Sequence, residues 1–147
     1  MKLLKSYEWI AGSMSDFTRP FQNNDSLFNQ AKGFWNHLES IMPVVLAIFI
    51  VLGIVLAVAY YMPYNNKPGR HFKPLHWLFF LIGTFLITFL VTWGFEAIAF
   101  KPTLQGANIL EMKIALGNAI YAAVLFFLTS VVWCNALPTN AYRLFKF

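Results

Sequence analysis

The sequence predicts an all-α, polytopic integral membrane protein with three transmembrane helices, preceded by one or two amphipathic interfacial helices. Composition is the first observation behind this. Apolar residues make up 59% of the 147-residue chain and charged residues only 12%, against roughly 25% charged in an average soluble domain. A soluble fold this small still exposes much of its surface, so it has nowhere to hide so many apolar side chains. The composition excludes a disordered chain, a disulfide-stapled secreted domain and an ordinary cytosolic enzyme.

The second observation is where the charges fall. No charge occurs between Glu39 and Lys67, between Lys73 and Glu96, or between Lys113 and Arg143. Each gap exceeds the roughly 20 residues that a helix needs to cross a hydrocarbon core. A helix also satisfies its own backbone hydrogen bonds, which lipid demands. The third observation is punctuation, which predicts spans over about 42–62, 75–99 and 111–134. Ser40 and Pro43 suit the opening of the first span. Pro63, Asn65, Asn66, Pro68 and Gly69 close it, and Pro74 opens the second. Pro102 and Gly106 follow the second. Asn108 with Glu111 resembles a capping box at the start of the third, and Asn135 and Pro138 follow its end.

The chain therefore divides into an amphipathic segment 1–41, a three-helix domain 42–134 and a tail 135–147 in which aromatic and basic residues alternate (Tyr142, Arg143, Phe145, Lys146, Phe147). Within 1–41 no apolar run is long enough for a signal-peptide core, so no cleaved leader is expected. Leu27, Phe28, Ala31, Phe34, Trp35 and Leu38 recur at helical spacing, with Asn29, Gln30, Lys32, Asn36 and Glu39 on the other face. This predicts an amphipathic helix from Asp25 or Ser26. Leu3, Tyr7, Ile10, Ala11 and Met14 suggest a weaker helix before it. Such helices lie on lipid or on a partner subunit. The sequence contains no internal repeat and no low-complexity tract.

Charge flanks set an expected orientation. Lys67, Arg70, Lys73, Arg143 and Lys146 flank the spans on one side, Lys32, Lys101 and Lys113 on the other. Lys and Arg near short loops stay cytoplasmic. The expectation is a cytoplasmic (inner) membrane protein with its amino-terminal segment outside and its tail in the cytoplasm. The net charge of +5 reads as solvated loop flanks near lipid heads rather than a nucleic-acid surface, because the aromatics sit in the spans.

Few residues point to chemistry. Cys134 is the only cysteine, so it makes no internal disulfide and no metal site. His37, His71 and His76 lie outside mid-membrane, and Pro74 interrupts the spacing of the last two. An enzyme built on His71 and His76 has no evident nucleophile or acid partner. No cofactor is expected. No acidic or basic residue sits deep in a span, which counts against an ion-coupled transporter.

One polar pattern stands out. Thr84, Thr88, Thr92 and Glu96 recur every four residues along the second span, close to one helix face. The row either lines a hydrated path or packs against neighbouring helices. Small residues mark packing faces: Gly53 and Ala57 on the first span, and Ala115, Ala119 and Ala123 on the third. Asn118 is an amide in hydrocarbon and needs a partner across helices. The expectation is a non-enzymatic membrane protein that self-assembles in lipid, with the threonine row lining a passive channel or pore. The rival expectation is an accessory or scaffold subunit that joins a larger membrane complex through residues 1–41 or the tail.

Overall fold

A computed structural model describes residues 3–64, 74–99, 104–137 and 144–145. Among them every regular element is helical, and three helices are long and apolar enough to cross a membrane. The turn residues Asn65, Asn66, Pro68, Gly69, Pro102 and Pro138 lie outside the described residues. So do the flanking charges Lys67, Arg70, Lys73, Lys101, Arg143 and Lys146, together with His71, Tyr142 and Phe147.

The chain opens with a 3-10 turn (Leu3–Tyr7) and two short helices, α1 (Glu8–Ala11) and α2 (Met14–Thr18), followed by a 3-10 turn (Arg19–Phe21). Ser13 caps α2. Its hydroxyl accepts from the Asp16 amide while the Asp16 carboxylate accepts from the Ser13 amide and hydroxyl. These bonds hold the Asp16 carboxyl below the usual carboxylate range. A depressed acid stabilises the fold above its unfolded pKa, and that contribution disappears as pH falls through the folded value. The protection factors of the Met14–Thr18 amides, measured against the intrinsic exchange rate at each pH, should therefore fall in acid, and Asp16→Asn should abolish that pH dependence.

The long helix α3 (Asp25–Ala59) starts where the amphipathic pattern starts, under an Asn24 cap that accepts from the Ser26 and Leu27 amides. It corrects the expected opening at Ser40 and Pro43. The helix continues through both, so the boundary at residue 42 is not a break in structure. Its buried stripe explains why: Ala31, Phe34, Trp35, Leu38, Met42 and Val45 follow one another in helical phase across the junction. Pro43 lies on the exposed side, where loss of one amide donor disturbs no packing. At 35 residues α3 is about 52 Å long, well beyond a roughly 30 Å hydrocarbon core. A π-helical turn, Tyr60–Tyr64, closes it and carries Pro63.

Two further helices complete the bundle, α4 (Pro74–Ala99) and α5 (Ala107–Ala136). The helix α5 starts two residues earlier than the expected Asn108–Glu111 capping box. Its N-cap is Gly106, at φ +87° and with no side-chain cap bond. Glycine adopts that φ without steric cost, so the chain turns into the helix before Asn108, and Glu111 is left to face inward. α5 packs against both α3 and α4.

Burial on α4 is unusual for a water-soluble helix. Its buried residues are Trp77, Thr84, Thr88, Thr92 and Glu96, while Leu78, Phe79, Ile82, Leu86, Ile87, Leu90 and Val91 are exposed. The polar stripe faces in and the apolar surface faces out. Lipid solvates apolar side chains as well as a core does, so polar groups gain from turning inward. On α3 the exposed large apolar residues begin at Val44, with only Leu27 before it. The amino-terminal half of α3 instead exposes Asn29, Gln30, Lys32 and Asn36.

Candidate functional site

The polar row meets the rest of the protein at Asn118. Its amide donates to the Val45 carbonyl of α3 (3.0 Å) and to Thr92 Oγ1 of α4 (2.7 Å). Its carbonyl accepts from the Tyr7 hydroxyl (2.7 Å). One side chain on α5 thus ties α3, α4 and the amino-terminal segment together, and it is fully buried. Burial, then the nearby Tyr121 and Glu96, pushes the Tyr7 hydroxyl above the usual phenol range, so it remains a donor to Asn118.

The other members of the row differ. Thr84 donates to the Phe80 carbonyl one turn back (2.8 Å), a common way to settle a hydroxyl within a helix. Thr88 Oγ1 has no hydrogen-bond partner. All three threonines are completely buried and Glu96 is 1% exposed, so the row lies inside the single chain. Glu96 is one turn beyond Thr92, towards the amino-terminal segment. Both its carboxylate oxygens lack a hydrogen-bond partner, as does Glu111 Oε1 on α5. The sequence pattern puts Glu96 in the polar row and makes Glu111 a cap residue; in the structure both acids are covered. The signal for Glu111 was its distance from the helix start, which depended on seeing Gly106 as the cap.

Burial without a partner is costly for a carboxyl group, and an apolar group of similar shape avoids that cost. Glu96→Met should therefore raise the unfolding temperature of the detergent-purified protein by a few degrees. A fall would mean that the carboxylate makes stabilising contacts in solution.

The small residues fall on different faces. Gly53 and Ala57 are buried, with the Gly53 backbone against Ala122 of α5. Ala115 and Ala119 are buried; Ala123 is half-buried and lines an apolar groove with Leu81, Phe85 and Phe127. The residue in the interior at that level is Ala122. Gly117, beside the predicted stripe, is where the amino-terminal segment rests. A Cβ there would lie 3.0 Å from the Tyr7 ring and 3.3 Å from Ile10. Tyr121 completes that contact, donating to the Ser6 carbonyl and accepting from Trp9 Nε1. The carboxylate of Glu39 accepts from the Leu4 amide (3.2 Å).

At the opposite end, Trp77 donates to Ser130 Oγ (3.1 Å), and the Tyr61 hydroxyl lies 3.5 Å from the buried Cys134 thiol. Phe145 packs edge-on against Trp77 and Phe127, and its carbonyl accepts from Asn135. This part of the tail folds back on its own chain. Among the described residues no three His, Cys, Asp or Glu side chains are grouped to hold a metal ion.

No protein-family model matches this chain, and no curated protein or solved structure is similar to it.

Proposed function

We propose that this chain is a non-enzymatic integral membrane protein that serves as an anchor or accessory subunit of a larger membrane assembly. The observation that carries this reading is the burial of Thr84, Thr88, Thr92 and Glu96 inside one chain. A pore lined by the row would require α4 to turn away from α5 and to break the Thr92–Asn118 bond. What the bundle offers to a partner is its amino-terminal end. There the extended half of α3 presents a polar face, and the preceding segment is fastened to α5 through Tyr7, Trp9 and Gly117. On the charge argument that end lies outside, and the tail lies in the cytoplasm.

Passive conduction by a self-assembled form is the second reading. The buried acids Glu96 and Glu111 favour it, since ionisable groups turned into a bundle commonly mark ion paths. Planar-bilayer recording separates the two. Intact, inserted protein on its own should give no discrete currents. A photo-crosslinker at Asn29 or Asn36 in native membranes should join one defined partner, and Gly117→Val should abolish the adduct by lifting the segment off α5. Discrete currents whose cation preference changes in Glu96→Gln would overturn the anchor reading.

A further inference from the structure

A cleft of about 890 Å³ opens between the amino-terminal segment and the first turns of α5. Pockets of roughly 300–1,000 Å³ are the usual size for small-molecule sites. Its walls combine two kinds of surface. Trp9, Phe17 and Ile109 are among its apolar lining, and Glu8, Asp16 and Lys113 are its charged groups. We propose that this cleft binds the headgroup of a phospholipid carrying a primary ammonium, that is, a phosphatidylethanolamine.

Depth comes first, and here the inference rests on the chain spanning a membrane. Lys113 lies where α5 passes from its polar opening into its long uncharged run. Leu116, three residues on, is an exposed large apolar residue, as are Ile109 and Trp9 at the cleft. A lysine and a tryptophan at such a boundary occupy the headgroup level of a bilayer. The cleft therefore opens where phosphates and amines are found, with apolar walls for the start of the acyl chains.

Charge selects the lipid. The Lys113 ammonium has no hydrogen bond or ion pair to another described residue, and it is exposed, free to meet a phosphate. Two carboxylates line the same cleft. Asp16 is fixed in orientation by Ser13 and held ionised by it, and Glu8 is exposed on α1. A cation with N–H donors satisfies them, because hydrogen bonds between an ammonium and a carboxylate are about twice as strong as neutral ones. A choline headgroup carries the same charge but no N–H donor. A glycerol headgroup offers no cation, and its net negative charge meets both acids.

Native mass spectrometry of the full chain in detergent, with dioleoyl phosphatidylethanolamine, phosphatidylcholine and phosphatidylglycerol in competition, tests this. The ethanolamine lipid should be retained about tenfold over each of the others, the difference expected from one charge-assisted hydrogen bond. Glu8→Gln combined with Lys113→Gln should weaken the preference, because Asp16 is then the one acid left to the ammonium. Both side chains are exposed, so the unfolding temperature without lipid should not change. Equal retention of the ethanolamine and choline lipids would overturn the proposal, as would preference for the glycerol lipid or a preference that the double substitution leaves unchanged. Soluble phosphoethanolamine that binds as tightly as the lipid would overturn the assignment to a lipid. None of these results depends on whether the chain anchors a partner or conducts ions.

Discussion

Asn118→Ala should lower the unfolding free energy by about 3 kcal/mol, the largest loss expected from a single polar residue here. The figure follows from three bonds at roughly 1 kcal/mol each, above the average of about 0.6 and below the maximum of about 1.7 kcal/mol for hydrogen bonds between helices in lipid. The size also depends on what is left behind. Thr92 Oγ1, the Val45 carbonyl and the Tyr7 hydroxyl lose a partner at once, in a place where Thr92 and Tyr7 have no exposed surface. Tyr7→Phe should cost only about 1 kcal/mol, because it removes one bond and leaves the other two intact. A double-mutant cycle between these positions, read by reversible unfolding in mixed micelles, should give a coupling near the value of that one bond. Additivity within about 0.5 kcal/mol would mean that the Tyr7–Asn118 bond contributes nothing. The amino-terminal segment would then be held by Trp9, Tyr121 and the Gly117 contact alone.

The same residue shows what the sequence could reveal. An amide in an uncharged run signals a need for a partner, but periodicity cannot name one 73 residues away on α3 or 111 residues away at Tyr7. The three long helices were legible because length and absence of charge are properties of the chain itself. The interior of α5 was less so. Ala122 and Ala123 are adjacent and identical, and the turn of the helix relative to α3 decides which of them is buried. The continuity of α3 was hidden by Ser40 and Pro43, which are good starting residues. Whether they start a helix depends on the stripe on either side staying in phase, and here Leu38, Met42 and Val45 do. The row on α4 was visible as a pattern, with its direction left open. The spacing puts three hydroxyls and a carboxyl on one face, and only the position of α5 determines that this face is covered.

Gly53→Val should separate α3 from α5 and destabilise the bundle by about 3 kcal/mol, the upper part of the range for overpacked cores. An added Cβ would lie 3.0 Å from the Ala122 carbonyl oxygen and 3.2 Å from Leu125 Cβ. The first of these is backbone within α5, so it yields only if the helix moves. Gly53→Ala already meets that contact, and valine adds two methyl groups to it. Gly83→Ala and Gly94→Ala on α4 supply the comparison, since nothing lies within 4 Å of a Cβ at either position. There the gain in helix propensity, up to about 1 kcal/mol, should stand unopposed and raise the unfolding temperature. One substitution type thus carries opposite signs on neighbouring helices, according to whether the glycine faces a backbone. If Gly53→Ala were also to stabilise, the close approach of α3 to Ala122 would be wrong. The α3–α5 pairing, which brings the Val45 carbonyl within reach of Asn118, would have to be rebuilt around a wider crossing.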